Sequence, residues 1–378
     1  MTQFNVLLLG GLGFVGRNIV TYLVESNVCS YIRIVDKTMP VVANLSPRQE
    51  SAVNHHTVEY MQSNLANPAG VEKAFTLQSG SWDFVINLTA DTKYGQSVDV
   101  YRQRHLVPSK LAAEAAIKAG VKKFIHFSTA QVYAPKDKAS KENDKMKPWT
   151  NIAAVHSESE QQLSAMNGLP LVILRPAVIY GVGDTFGIMP RISIAAVYKY
   201  IGKTMELLWS GDLRLNTVHV DDVARATWHC CLEAPPGSVF NLVDKNDTNQ
   251  RKVNEILEQL FGIKTGFKNA MLCRLASTSM KHTTARVNGM HGEVWAKMVA
   301  EAKINVTPFN AFLDQELLYN HPLSVNGEAI EKTGFNYEVP YLTVDTVKPQ
   351  LDFALEMGLF PPYEHYDGSG TVSQDLDS

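Results

Sequence analysis

The chain has 378 residues, of which 45% are hydrophobic and 19% are charged, and its formal net charge is −3. These values are typical of a globular protein of one or two domains, and the small negative charge excludes charge-driven binding to nucleic acid or to an anionic membrane. No apolar run has membrane-spanning length, no secretory signal is expected, and the four cysteines have no metal-binding or redox spacing, so the composition predicts a cytoplasmic protein.

The N-terminal stretch combines an apolar run, three glycines and a helical pattern. The run covers residues 6–9, and the glycines are Gly10, Gly13 and Gly16. This pattern predicts a buried strand, a tight turn and a helix start that are typical of dinucleotide binding. The first glycine permits the turn, the second lets the backbone approach a pyrophosphate, and the third lets helix and strand pack closely, while the helix N-terminus faces the phosphates.

The second predicted strand covers residues 31–35 and ends at Asp36, which follows Gly16 by the spacing of about 20 residues expected for a ribose-binding acid. A carboxylate at this place accepts hydrogen bonds from the adenosine ribose and repels a 2′-phosphate. We therefore expect NAD(H) to be preferred over NADP(H), although the neighbouring Lys37 and Arg33 weaken that preference.

Two polar stretches are predicted to be loops. The first extends to about residue 56 and contains His55 and His56, which are more typical of a solvated loop than of a metal centre. The second covers residues 134–147, where Lys, Asp and Glu are dense and a solvated loop is expected. No metal site is predicted in these stretches or elsewhere in the chain.

Strands and helices alternate along the rest of the chain. Further strands are predicted at 58–61, 82–88, 123–127, 171–174, 218–220 and 239–243, and helices at 68–79, 98–119 (kinked or restarted at Pro108), 151–160, 189–208, from Asp221, and over most of 250–320. This alternation predicts a doubly wound parallel sheet that binds ligands outside the carboxyl ends of its strands.

Residues suited to a cofactor follow two of these strands. Asn64 and Leu65 come after the third strand, where an adenine ring would rest. Leu88, Thr89 and Ala90 come after the fourth, and their small members allow a cofactor to approach closely. Both positions extend the predicted dinucleotide site.

Five motifs together resemble one superfamily. They are GGLGFVG at 10–16, Asp36, FSTAQVY at 127–133, LRPAVIYG at 174–181 with GDT at 183–185, and VHVDDVA at 218–224. Over roughly residues 4–360 the chain resembles the extended short-chain dehydrogenase/reductase superfamily, in its NAD-dependent epimerase/dehydratase branch, and within that branch the 3β-hydroxysteroid dehydrogenase-like members.

The resemblance implies an α/β protein with a Rossmann-type doubly wound parallel sheet and a smaller, mostly helical C-terminal substrate domain. We expect the NAD(P)-binding domain at 1–174, with a later strand near 218–243 returning to it, a substrate or cap region at 175–366, and a polar tail at 367–378. The cofactor-binding residues are then expected to be Gly10, Gly13, Phe14, Val15, Gly16, Asp36, Lys37, Asn64, Leu65, Leu88, Thr89, Ala90 and Pro176.

The resembled family transfers hydride with a Tyr and a Lys four residues later on one helix, and a Ser or Thr fixes the substrate carbonyl. Thr129 matches the Ser/Thr position, but Ile152 stands at the tyrosine and His156 at the lysine. The family's asparagine in the preceding helix aligns with His105, and Tyr133 is a weak substitute for the missing acid. Thr129 and His156 are therefore remnants of a catalytic site.

Three functions follow as alternatives. The first is an NAD(H)-binding protein with impaired or lost hydride transfer, acting as a redox-sensing or structural subunit of an assembly. The second is an active oxidoreductase or epimerase on a sugar nucleotide or sterol-like alcohol, with His156, Tyr133 or a group on the substrate as an unusual proton donor. The third is an interaction module with an empty cleft. A homodimer would be expected to form through helices at about 98–119 and 151–167.

Overall fold

A computed structural model describes residues 3–370. Its strands are β1 (Phe4–Leu9), β2 (Cys29–Asp36), β3 (Val58–Gln62), β4 (Phe84–Asn87), β5 (Lys123–Phe127), β6 (Leu171–Pro176), β7 (Val178–Tyr180), β8 (Met205–Leu207), β9 (Thr217–His219), β10 (Val239–Leu242) and β11 (Thr265–Phe267). Its α-helices are α1 (Phe14–Glu25), α2 (Pro47–Val53), α3 (Pro68–Phe75), α4 (Val98–Tyr101), α5 (Val107–Ala119), α6 (Asn151–Ser164), α7 (Met189–Ile201), α8 (Val220–Glu233), α9 (Gln250–Phe261), α10 (Ala270–Thr278), α11 (Met280–Glu301), α12 (Glu328–Glu331) and α13 (Val344–Glu356).

Seven strands form one parallel sheet in the order β10-β6-β5-β4-β1-β2-β3. The inner strand β1 has no exposed surface from Val6 to Leu9, which is typical of a parallel strand covered by helices on both faces. The predicted doubly wound parallel sheet is therefore confirmed. The winding direction reverses between β1 and β4, so the ligand crevice of such a sheet is expected at the carboxyl ends of these two strands.

The chain divides into two compact units that interleave along the sequence. One contains the residues up to Ala177, Val218–Asp244 and Val325–Pro340, and the other contains Val178–Thr217, Lys245–Ser324 and the residues from Tyr341 onward. The first unit thus includes Val325–Pro340, which the predicted boundaries assign to the second region. Of the predicted tail at 367–378, residues 371–378 lie outside the described residues.

The second unit is mostly helical. Its core lies between α7, α9, α11 and α13 and includes Ile192, Leu257, Trp295 and Leu351. The helix predicted to run to residue 208 is wrong beyond Ile201, because Gly202 takes a left-handed conformation with φ 65° and ends it. The following residues form β8, which pairs with β11 in a small parallel sheet.

The first polar stretch is not a continuous loop as predicted, because α2 forms within it. Ser46 begins this helix with a capping box, in which its hydroxyl accepts from the Gln49 N–H and the Gln49 side chain accepts from the Ser46 N–H. Pro47 occupies the first helical turn, where a missing N–H has no cost. The sequence Ser-Pro-x-Gln is a helix-start signal, but the polar composition of the surrounding stretch favours a loop prediction.

The helix predicted over 98–119 is interrupted as Pro108 suggests. α4 passes into a π-helical turn at Arg102–Leu106, and α5 begins at Val107. Proline cannot donate a backbone hydrogen bond to the preceding turn, and a π-turn absorbs that loss by widening the helix locally. The turn carries His105, whose side chain is buried.

The helix predicted over 68–79 is shorter than expected and ends at Phe75, because Thr76 turns to an extended conformation. Within residues 3–370, no helix combines the length and apolar character needed to cross a bilayer.

Candidate functional site

The glycine turn after β1 has the backbone that its sequence predicts. Gly10 has φ 78°, and a Cβ there would lie 3.0 Å from the Leu88 carbonyl oxygen. A Cβ on Gly16 would lie 2.6 Å from Gly11, so only glycine allows this contact between helix and turn. Gly13 differs, because its nearest neighbour would be the Gly10 oxygen at 3.4 Å. No side chain caps α1 at Gly13, which leaves a helix N-terminus suited to an anion.

Asp36 lies at the carboxyl end of β2, beside this turn. One carboxylate oxygen accepts from the Leu12 N–H and the other from the Thr38 N–H, each at 3.0 Å. These bonds hold the carboxylate between the glycine turn and the loop after β2, while Lys37 is exposed. The position suits an acid that accepts from ribose hydroxyls.

The other predicted cofactor residues also follow parallel strands of this sheet, so they lie at its carboxyl edge. Asn64 accepts from the Ala66 N–H and shapes the turn after β3, and Leu65 beside it is buried. Leu88 and Thr89 follow β4, and the Thr89 hydroxyl donates to Asn87 at 2.6 Å. The remaining members of this set are Phe14, Val15, Ala90 and Pro176, the last residue of β6.

Helix α6 carries the two positions where the resembled family has Tyr and Lys. Ile152 and His156 are four residues apart and share one face of the helix. Ile152 is 8% exposed and packs in a small apolar cluster with Tyr101, Leu106 and Val155. No group at position 152 can exchange a proton.

His156 belongs to a buried cluster of three histidines that sequence reasoning missed as a group. Its partners are His105 from the π-turn and His126 from β5, and one ring nitrogen of each residue lies within 4.8 Å of the others. Burial lowers the pKa of His105 to about 4 and the pKa values of His126 and His156 well below their usual range. Three separate elements contribute these rings, so no local spacing could have indicated the cluster.

Two further candidate residues have structural partners. The Thr129 hydroxyl accepts from the Gln131 N–H at 3.2 Å and caps a short 3₁₀ turn. Tyr133 is 3% exposed, and its hydroxyl donates to Asn241 and accepts from Arg175. Burial raises the pKa of Tyr133 to about 12, which opposes its use as a proton donor.

Charged residues of the later motifs make structural contacts within the first unit. Arg175 makes a buried two-point ion pair with Glu160, with Nε–Oε1 at 2.9 Å and Nη2–Oε2 at 2.5 Å. Asp222 at the start of α8 accepts from the backbone N–H groups of Glu338 and Val339. The predicted solvated loop at 134–147 has no helix or strand, but it is partly buried, since its Ser140 is 1% exposed.

Comparison with known proteins shows the family of this chain. The family model "NAD dependent epimerase/dehydratase family" matches residues 6–242. The mouse dTDP-D-glucose 4,6-dehydratase is 27% identical over 259 residues, which are 63% of this chain and 67% of that protein. A trifunctional UDP-glucose 4,6-dehydratase/epimerase/reductase of Arabidopsis thaliana is 23% identical over 277 residues, and the chain spans only 40% of its length.

Solved structures share the fold. The dTDP-glucose 4,6-dehydratase DesIV of Streptomyces venezuelae, with NAD and TYD bound, has a TM-score of 0.67 at 16% identity and covers 95% of this chain and 100% of its own. The UDP-N-acetylglucosamine 4-epimerase of Methanobrevibacter ruminantium has a TM-score of 0.60 at 22% identity, over 71% of this chain and 86% of its own. With the family match over most of the chain, the parallel sheet and the glycine turn, this protein belongs to the NAD-dependent epimerase/dehydratase family.

Proposed function

We propose that this protein binds NAD(H) but has lost the hydride-transfer chemistry based on Tyr and Lys, and that it acts as a redox-sensing or structural subunit of an assembly. One observation carries the proposal. An open glycine turn and a positioned Asp36 lie in the same unit as a helix α6 that presents Ile152 and His156 in place of the proton-transferring pair.

The cofactor half of the proposal is supported by the glycine turn and by the charge beside it. Gly13 leaves room at the N-terminus of α1 for a pyrophosphate, whose negative charge the helix dipole favours. The Asp36 carboxylate would meet a 2′-phosphate with repulsion, which favours NAD(H) over NADP(H). Solved structures of the same fold contain NAD, including DesIV and the WbmG enzyme of Bordetella bronchiseptica.

The loss of hydride transfer is inferred from the absence of Tyr and Lys from α6. Losing a positioned acid or base typically lowers a rate by about 10²- to 10⁴-fold. Ile152 has no proton to give, and the buried imidazole of His156 is a poor substitute for an ammonium that grips a ribose and lowers the pKa of a tyrosine. Bound dinucleotide would then report the redox state or stabilise the fold without turning over.

The first test is a calorimetric titration of NADH, and then of NADPH, into the purified chain and into Gly13→Trp. The new side chain would occupy the pyrophosphate position, so we expect NADH affinity to fall by more than about tenfold, corresponding to about 1.4 kcal/mol. Gly289→Trp is the matched control, because Gly289 lies on α11 with no atom within 4 Å of an added Cβ. Equal NADH affinity in wild type and Gly13→Trp, or no binding at all, would contradict the proposed site.

The alternative function is an active enzyme on a sugar nucleotide, and the names of the dehydratase and epimerase relatives favour it. Wild type would be incubated with NAD and either dTDP-glucose or UDP-glucose, with product formation followed by chromatography. We expect no turnover above a sample without protein. Turnover that disappears in His156→Ala and persists in His55→Ala would establish the enzyme instead.

We also propose that the protein is cytoplasmic and forms a homodimer or a larger assembly. Helices α5 and α6 are the candidates for the contact, because members of the resembled superfamily often pair through the corresponding helices.

A further inference from the structure

Three imidazoles converge inside the first unit, on elements that lie far apart in the sequence. His105, His126 and His156 are 3%, 0% and 7% exposed. The ring centroids of His105 and His156 are 4.0 Å apart, and those of His105 and His126 are 5.4 Å apart. Histidine side chains are seldom buried as a group, because each carries a polar donor and a polar acceptor that need partners.

Two of the rings have a buried nitrogen without a hydrogen-bond partner among the described residues. The Nδ1 atom of His105 lies 2.6 Å from the Thr89 carbonyl oxygen, which can only accept, so Nδ1 carries the proton and Nε2 carries the lone pair. That Nε2 atom is buried and has no hydrogen-bond partner among the described residues. A buried acceptor left in this way is costly unless something binds it.

His156 also has a buried ring nitrogen without a partner. Its Nδ1 atom has no hydrogen-bond partner among the described residues, and the nearby backbone of Phe127 partly opposes the lowering of the ring's pKa by burial. Each of these two rings therefore has one buried nitrogen available to a ligand.

His126 is the third member of the cluster, and both of its ring nitrogens have neutral hydrogen-bond partners. Its Nδ1 atom accepts from the Asn87 amide at 3.1 Å, because the Asn87 oxygen is engaged by Thr89. Its Nε2 atom then donates to the Ser159 hydroxyl at 3.3 Å. A metal ion that binds His126 Nδ1 would displace only the neutral Asn87 amide from the Nδ1 lone pair.

We infer that His105, His126 and His156 form a binding site for one divalent transition-metal ion of the zinc, cobalt or nickel type. Imidazole nitrogen is a preferred ligand for these ions, and three histidines form a known zinc ligand set. Metal-bound histidines almost always donate their second ring nitrogen to a carbonyl, a carboxylate or a water, as His105 does here to the Thr89 carbonyl.

The required movement is small. Zinc–nitrogen bonds of about 2.0–2.1 Å in a tetrahedral site separate the nitrogens by about 3.3 Å. One nitrogen from each ring already lies within 4.8 Å of the others, so each pair has to close by no more than about 1.5 Å. The site stands where the resembled family has its lysine and asparagine, and it does not depend on dinucleotide binding.

The test is a titration of chelator-treated protein with Co²⁺, followed by visible absorption and by elemental analysis after dialysis. We expect one cobalt per chain, with the strong d–d bands of a four-coordinate ion. His156→Gln and His105→Asn should each weaken cobalt binding by at least about tenfold, because each removes one of the two free nitrogens. His55→Ala/His56→Ala is the matched control, since these adjacent rings lie 4.2 Å apart on the loop that follows α2 and offer a competing site.

Wild type alone provides a second measurement that does not depend on folded variants. X-ray absorption of the zinc-loaded protein should show nitrogen at about 2.0 Å with imidazole scattering. Oxygen-only coordination, no stoichiometric cobalt, or loss of cobalt in the His55/His56 variant would each overturn the inference. Gly13→Trp should bind cobalt as wild type does, which separates a failure here from a failure of the dinucleotide proposal.

Discussion

At the scale of single residues, glycine is needed for a different reason at each of the three positions of the N-terminal turn. Gly10 needs its left-handed backbone, with φ 78°, and Gly16 needs the absence of a Cβ against Gly11. Gly13 needs neither, since its φ of −62° is open to any residue. What glycine provides at position 13 is space in front of the helix N-terminus. A ligand rather than the fold therefore explains that glycine best.

We expect a single buried histidine in the second unit to cause part of the loss of stability at acidic pH. His291 on α11 is 4% exposed, contacts the edge of Tyr198, and has no hydrogen-bond partner on either ring nitrogen among the described residues. Burial lowers the pKa of His291 to about 4, from about 6.5 in the unfolded chain. Between these values the unfolded chain binds a proton that the folded chain does not, so stability falls as the pH falls.

We therefore expect His291→Leu to lose about 2–3 kcal/mol less free energy of unfolding than wild type between pH 7.5 and pH 4.5. Urea unfolding at both pH values measures the difference. His282→Leu is the control, because His282 lies exposed on the same helix whereas His291 is buried. If the free energy of unfolding of His291→Leu depended on pH as that of wild type does, the His291 imidazole would not be the cause of the acid destabilisation.

At the scale of secondary structure, local signals explain where helices begin and where they break. The capping box of Ser46 and Gln49 starts α2 inside a polar stretch, and Gln49 also donates to Asn18 of α1 at 3.1 Å. The π-turn before Pro108 lets one helical segment change register. That change carries the buried His105 beside His156, with their rings 4.0 Å apart.

Removing the helix cap should have a measurable cost. In Ser46→Ala the Gln49 N–H loses its acceptor at the N-terminus of α2, and such a loss typically costs about 1 kcal/mol of stability. Urea unfolding of the variant checks this value. Ser51→Ala, on an exposed position of the same helix, should change stability by less than about 0.5 kcal/mol. Equal effects of the two substitutions would contradict a capping role.

At the scale of the whole molecule, the chain leaves the first unit at Ala177 and re-enters it at Val218 and at Val325. Buried polar contacts hold these returns in the first unit. Asn241 of β10 accepts from Tyr133 and donates to the carbonyl oxygens of Ser140 and Asn326. Such long-range contacts join segments that are more than 80 residues apart, so no single boundary in the sequence separates the two units.

The buried Arg175–Glu160 pair predicts how the first unit responds to a broken charge. Arg175→Met should cost about 3–5 kcal/mol of the free energy of unfolding, because it leaves the Glu160 carboxylate buried without its cation. The double variant Arg175→Met/Glu160→Leu should recover most of that loss. Chemical unfolding of both variants measures the difference.

An exposed pair is the control for this prediction. Arg48→Met breaks the ion pair with Glu25, whose side chains are 58% and 48% exposed, and should cost less than about 1 kcal/mol. A double variant no more stable than Arg175→Met would contradict the account of a stranded charge.

The sequence alone determined the features that local periodicity and stereochemistry encode. These are the apolar runs of the parallel strands, the glycine turn after β1, Asp36 at the end of β2, and the absence of Tyr and Lys from α6. Only the tertiary structure decided which side chains meet. His105, His126 and His156 come from a π-turn, a strand and a helix, and Tyr133 receives its partners from β6 and β10. The physical reason is that burial and backbone conformation depend mainly on residues that are neighbours in the sequence. Hydrogen-bond and ligand partners instead come from segments that are far apart in the chain and meet only in the folded sheet.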